Sequence, residues 1–140
     1  MAENMVWDPL RRKNVPLTPE ERVRQWFITV LKDRMQVPLH MMMSEVGMKF
    51  GEGALKKEFR ADIVVYDRRT GPMMIVECKR PDVELTKDVL EQALRYDMVL
   101  DVKYLALTNG NRTIFCERLE DGSISFLKEA PTYMQMLGLE

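Results

Sequence analysis

The stretch Arg60-Ala-Asp-Ile-Val-Val-Tyr-Asp-Arg-Arg-Thr-Gly-Pro-Met-Met-Ile-Val-Glu-Cys-Lys79 decides how this chain folds. It reads as two short apolar strands, Ala61 to Tyr66 and Met73 to Lys79, joined by a turn through Arg68-Arg69-Thr70-Gly71-Pro72. Valine, isoleucine and tyrosine favour strands, whereas glycine and proline punctuate them. Three charged residues, Asp62, Glu77 and Lys79, stand where such strands should be apolar. Side chains alternate along a strand, so Glu77 and Lys79 share one face while Val76 and Cys78 take the other. A hairpin closing around Thr70 and Gly71 sets Asp62 opposite Lys79 and Val64 opposite Glu77. The two carboxylates then become diagonal neighbours with an ammonium beside them. A one-residue slip would separate the charges onto different faces.

Two carboxylates held close repel each other and lose hydration unless a positive charge compensates. A divalent metal does this well, and magnesium accepts a few carboxylate oxygens while keeping several waters. Lys79 at the rim of such a site could orient or deprotonate a water, or offset charge developing on a phosphate oxygen. The alternative is a structural ion pair across a half-buried hairpin, because such networks also occupy strands without doing chemistry.

Upstream of the hairpin, Met1 to Leu17 reads as a loosely ordered lead-in anchored by Trp7 and Leu10. Its cationic knot, Arg11-Arg12-Lys13, is a solvated face or a phosphate contact. Thr18-Pro19-Glu20-Glu21 opens a helix: Thr18 can cap, Pro19 presets the first helical dihedral, and Glu21 falls where a capping box places its acid. Val23, Trp26, Phe27, Val30 and Leu31 then form one apolar stripe at helical spacing. Glu21 is ambiguous, either closing its own helix end or lying at the margin of the buried stripe. The methionine-rich segment Leu39 to Phe50 reads as packing or an oligomer contact, the tail of the first helix or a turn running into a short strand. Lys56, Lys57 and Arg60 bring positive charge near Asp62 and are candidate phosphate contacts.

Downstream, Pro81 cannot donate to a ladder, so the second strand ends near Lys79 or Arg80. A helix follows from about Thr86 to Leu100, with Val89, Ala93, Tyr96 and Leu100 at apolar spacing and Gln92 one turn before Tyr96. Gln92 could satisfy a backbone group, or reach the carboxylates and hold a water. Strands over Lys103–Thr108, Arg112–Arg118 and Ile124–Leu127 come next, with turns at Asn109-Gly110 and Asp121-Gly122. A short helix is predicted within Pro131–Glu140. The pattern is a mixed sheet covered by helices, without regular strand–helix alternation.

The 140 residues, 46% hydrophobic, suffice for one core, so residues 18–140 are read as a single domain. Twenty-one basic against 22 acidic residues leave a formal charge of −1, which excludes global attraction to nucleic acid but not a local basic footprint. Two cysteines without a secretory segment read as buried thiols, and two cannot make a zinc site unaided. No long apolar run occurs, so a cytoplasmic protein without a membrane span is expected.

Arg60-Ala61-Asp62, Glu77-Cys78-Lys79 and Gln92-Ala93-Leu94-Arg95-Tyr96, in that order, resemble the PD-(D/E)XK nuclease superfamily. With Pro19-Glu20-Glu21-Arg22-Val23-Arg24 and Leu107-Thr108-Asn109-Gly110, the chain is more narrowly similar to the N-terminal nuclease domain of the type I restriction enzyme R subunit. The resemblance spans about Leu17 to Arg118. It departs from the pattern where Ala61, not proline, precedes Asp62, and in lacking the translocase domains of full R subunits. It implies a three-layer α/β/α, restriction-endonuclease-like fold around a central mixed sheet. It implies further that Asp62 and Glu77 ligate Mg2+ (Mn2+ as a substitute), that Lys79 is the catalytic lysine, and that Glu21 completes the site directly or through a water. Gln92 and Tyr96 fall on the glutamine-then-tyrosine pattern that supports DNA handling or catalysis in such subunits. The expected activity is metal-dependent hydrolysis of DNA phosphodiesters, with helicase/translocase or methyltransferase subunits, or a homo-oligomer, as partners. The rival is a non-catalytic DNA-binding or protein-interaction module on the same fold.

Overall fold

A computed structural model of the chain describes residues 4–50, 53 and 57–140. In chain order the elements are β1 (Met5–Asp8), β2 (Lys13–Pro16), α1 (Pro19–Thr29) with a π-helical extension (Val30–Arg34), a 3-10 turn (Leu39–Met41), β3 (Met42–Phe50), β4 (Lys57–Tyr66) and β5 (Pro72–Cys78). There follow α2 (Lys87–Leu100), β6 (Tyr104–Thr108), β7 (Thr113–Arg118), β8 (Ile124–Leu127) and α3 (Tyr133–Met136).

The fold is mixed α/β: a six-stranded sheet in the order β3-β4-β5-β6-β7-β8, flanked by helices, plus a separate β1–β2 ribbon. All neighbours are antiparallel except β5 and β6, which run parallel. A parallel pair needs a crossover, and α2 supplies it. Alternation along β4 and β5 splits the core. Ile63, Val65, Met74, Val76 and Cys78 pack with Val23, Phe27 and Leu31 of the first helix and with Tyr133 and Met136 of α3. Val64 and Ile75 pack on the opposite face with Ala93 and Leu90 of α2.

The first helix begins at the cap the sequence places at Thr18, and the second, expected from about Thr86, is capped by that residue. Thr18 Oγ1 accepts from Glu21 N at 3.1 Å and Thr86 Oγ1 from Val89 N at 3.3 Å, each worth about 1 kcal/mol. The C-terminal segment closes with a complete Thr132–Gln135 capping box, and Tyr133 Oη donates to the Tyr66 carbonyl at 2.8 Å.

Four expectations need correction. First, the β4–β5 register differs by two residues from the hairpin read in the sequence: Ile63 pairs with Val76 and Val64 with Ile75, so Asp62 does not face Lys79. The cause is a wider turn, in which Asp67 N–H donates to the Gly71 carbonyl and Asp67 Oδ1 accepts from Arg69 N and Gly71 N. Glu77 and Lys79 share a face and line one cavity, whose lining does not include Asp62. Second, the lead-in is a β ribbon, and Trp7 is exposed, whereas Asp8 and Val15 are buried. Third, Arg11 is not a solvated cation, because it pairs with Asp8 and with Glu21. Fourth, the methionine-rich segment forms a turn and then a nine-residue edge strand rather than a short one.

Candidate functional site

The β4–β5 ladder stops at Ile63–Val76, and the next residues on the two strands are Asp62 and Glu77. Beyond that pair, side chains replace backbone pairing. Asp62 Oδ2 accepts from Cys78 N at 2.7 Å, while the Asp62 N–H helps hold charge on Glu77. On its other side β4 also loses its ladder at this point. β3 pairs Ser44 with Ile63 and Val46 with Ala61, passing over Glu45 and Asp62, and Glu45 sits at φ +57°. Left-handed backbone is uncommon for a non-glycine residue and costs about 1–3 kcal/mol. The sheet therefore opens on both sides of Asp62.

Asp62 and Glu77 enter this opening largely desolvated. Burial pushes Asp62 up to about 6, with the Cys78 N–H and Arg24 pulling it back. Burial pushes Glu77 further, to about 8, and the charge of Asp62 adds to the rise while Lys79 opposes it. Among the described residues, Glu77 Oε1 is buried with no hydrogen-bond partner. The adjacent Cys78 thiol is also raised well above its ordinary value by burial, which makes it inert packing rather than a nucleophile.

Glu77, Lys79, Gln92 and Tyr96 line one cavity of about 240 Å³, together with Phe59, Val89 and Ala93. The α2 contribution follows from helical spacing, which puts residues 92 and 96 one above the other. Tyr96 is held by stacking on Phe59 of β4, with ring centroids 4.3 Å apart and planes 16° from parallel. Lys79 N–H donates to the Thr108 carbonyl at 2.8 Å, extending the β5–β6 pairing and fixing the root of the lysine. Its ammonium makes no ion pair within 4 Å among the described residues.

Glu21 lies elsewhere in the charge pattern. Its carboxylate accepts from Arg11 Nη2 at 2.6 Å and Gln25 Nε2 at 3.0 Å, and Arg24 Nε stands 3.2 Å away. The neighbour Glu20 is the α1 acid whose charge raises both Asp62 and Glu77. A signal for it existed: Glu20 stands three and seven residues before Val23 and Phe27, which pack on the sheet. Arg60 is largely exposed and turns back to Glu45, at 3.3 Å from its carbonyl and 3.9 Å from its carboxylate. Lys56 and the side chain of Lys57 lie outside the described residues. Among the described residues no three His, Cys, Asp or Glu side chains converge as a preformed metal cage.

This geometry can be set beside known proteins. The family profile described as type I restriction enzyme R protein N terminus (HSDR_N) matches residues 19–131. A fragment structure proposed to be an HsdR subunit of a type I restriction enzyme, from Vibrio vulnificus YJ016, superposes with a TM-score of 0.64 at 20% identity. The match covers 88% of this chain and 25% of that one, so this chain spans about a quarter of its length. No curated protein matches the sequence. Among the described residues no helix is long and apolar enough to cross a membrane.

Proposed function

Since the chain belongs to the type I restriction enzyme R protein N-terminal family, we propose that it is a restriction-endonuclease-like domain that hydrolyses DNA phosphodiesters with Mg2+, or Mn2+ in its place. One observation carries this reading: Asp62 and Glu77 leave the sheet together, largely buried, and among the described residues Glu77 Oε1 has no hydrogen-bond partner. The donor set fits a hard cation. Magnesium is held by one or two protein carboxylates and keeps its remaining positions for water and phosphate oxygens, so a three-residue cage is not required. Asp62 and Glu77 would hold it, with Glu20 in place of Glu21 as the helix-borne acid acting through water.

A bound divalent ion would lower the pKa of a coordinated water and offset charge on the scissile phosphate. Lys79, which makes no ion pair among the described residues, orients the attacking water or neutralises charge on a non-bridging phosphate oxygen. Gln92 holds that water or a sugar–phosphate oxygen from the helix side, and Tyr96, braced by Phe59, shapes the wall of the cavity. Arg60, Lys56 and Lys57 remain candidates for phosphate contact along the β3–β4 edge. The partners proposed are DNA and, given how much longer the matched chain is, helicase/translocase or methyltransferase subunits, or a second copy of this chain.

Cleavage of supercoiled plasmid in Mg2+ or Mn2+ tests the reading. Activity that survives unchanged in Asp62→Ala and Lys79→Ala would refute it. A binding-only module is the second reading, favoured by the lack of a three-ligand cluster among the described residues. It predicts duplex binding that is equally tight with and without Mg2+ and accompanied by no cleavage.

A further inference from the structure

Arg24 is an almost fully buried cation on α1 with carboxylates around it, and nothing above assigns it a role. Its Nη1 donates to the Asp62 carbonyl and to Ser44 Oγ, both at 3.2 Å. Ser44 Oγ in turn donates to the same carbonyl at 3.1 Å. Nη2 contacts Glu45 Oε1 at 2.6 Å and stands 3.7 Å from Asp62 Oδ1, while Nε faces Glu21 Oε2 at 3.2 Å.

The Asp62 carbonyl belongs to the position where the β3–β4 ladder is passed over. A buried carbonyl without a partner costs about 1–3 kcal/mol, and here Arg24 and Ser44 replace the missing strand. Arg24 also pairs with Glu45, the residue whose left-handed backbone creates the gap. One planar guanidinium thus spans the break from both sides, a geometry for which arginine's fixed fork is suited and a lysine's single ammonium is not.

We propose that Arg24 is the positioning residue of the site: it holds the strand break open at Asp62 and fixes that carboxylate on the Cys78 N–H. The metal half of this inference rests on the reading given under Proposed function; the positioning half does not. Residues that orient a ligand are commonly worth about 10–100-fold in metal affinity. Arg24 acts through the backbone and rotamer of Asp62, and its own charge would by itself repel a cation.

The two contributions have opposite signs, which makes the test sharp. Amide exchange at Cys78 without metal, and Mn2+ binding by calorimetry, are measured for the wild type, Arg24→Lys and Arg24→Met. Faster exchange at Cys78 in both variants, with Mn2+ affinity down about tenfold, is the expected result. Tighter Mn2+ binding in Arg24→Met, with Arg24→Lys like the wild type, would show a simple charge effect and overturn the proposal. So would Cys78 protection that stays at the wild-type level in both. If Arg24→Met fails to fold, Ser44→Ala and Glu45→Gln each remove one strut of the same bridge, and both should speed Cys78 exchange selectively. A lower melting temperature with Cys78 exchange and Mn2+ affinity unchanged would reduce Arg24 to a stabilising ion pair and likewise overturn the proposal. A wild-type chain that takes up no Mn2+ removes the metal reading, while the Cys78 exchange still decides whether Arg24 positions Asp62.

Discussion

Glu21 and Glu77 are glutamates removed from solvent in the same small protein, and their surroundings could hardly differ more. Glu21 sits in a charge-balanced network, with Arg11 donating to Oε1, Gln25 donating to Oε2 and Arg24 Nε standing 3.2 Å from Oε2 as an ion-pair neighbour. Glu77 sits at the open end of the β4–β5 ladder with Oε1 unpartnered among the described residues and its pKa lifted to about 8. The first environment has enough positive charge to be complete without a ligand. In the second, Arg24 stands beside Asp62 while Glu77 has only the opposing charge of Lys79, and burial with the charge of Asp62 favours its neutral form. A buried acid whose donors are all present is evidence about folding, and one whose donors are lacking is evidence about chemistry.

The comparison predicts opposite phenotypes. Glu77→Gln removes a charge that the folded chain keeps protonated near neutrality, so thermal stability should hold or rise. Metal-dependent plasmid cleavage should fall by roughly a hundredfold or more, the scale seen when a group stabilising developing charge is deleted. Glu21→Ala should do the reverse. It takes one partner from Arg11, which keeps Asp8, and one from Arg24, which keeps Glu45, and losing hydrogen bonds to charged groups costs about 1.5–3 kcal/mol each, readable as a lower urea midpoint at unchanged slope. Residual folded Glu21→Ala protein should still bind Mn2+. If Glu21→Ala abolished metal binding while leaving the urea midpoint alone, the roles of the two glutamates would have to be exchanged.

The acid pair also imposes a pH dependence whose sign differs from that of an ordinary salt bridge. Asp62 and Glu77 titrate near 6 and 8 in the folded chain, above the carboxylate range of the unfolded chain. The native state therefore retains protons that the unfolded state releases. Stability from this pair is full below about pH 4 and is lost as pH rises through 6 and then 8. A divalent ion displaces those protons, so its stabilising effect should grow over the same window, with affinity rising by up to about tenfold per pH unit below pH 8. Melting curves with and without Mn2+ between about pH 6 and 8.5 read this directly. A metal-induced shift that stays constant across that range would mean the ion does not bind where the protons leave.

Much of the fold was legible because it is written in local rules. Alternation in Ala61–Tyr66 and Met73–Cys78, the cap at Thr18, and the turn residues around Gly71, Asn109 and Gly122 each act over a few residues. Face parity of Glu77 and Lys79 was legible for the same reason, and it survived a two-residue difference in register. What could not be read was anything requiring distant segments to meet. Asp8, Arg11 and Glu21 form one network only because the β1–β2 ribbon folds back on α1, and Arg24 reaches Ser44 and Asp62 only because β3 pairs with β4. Arg11-Arg12-Lys13 reads as a solvated knot because nothing in the sequence marks Asp8 and Glu21, its neighbours along the chain, as buried.

The smallest expected effect tests the finest distinction, between Glu20 and Glu21. Successive helical residues point about 100° apart, so one step along α1 separates a carboxylate in the Arg11–Arg24 network from one that acts on Asp62 and Glu77. Glu20 is partly exposed, and removing its charge should not threaten the fold. Glu20→Gln should lower the pKa values of Asp62 and Glu77, since its negative charge helps raise them, and should weaken Mn2+ binding only about two- to fivefold, the scale of a screened charge acting through water. Glu20→Lys should weaken it more, because a repelling cation replaces an attracting anion. Calorimetry on the two variants beside Glu21→Gln orders the contributions. Equal Mn2+ affinity in Glu20→Gln, Glu20→Lys and the wild type would remove α1 from the site and leave Asp62 and Glu77 to hold the ion between two strands alone.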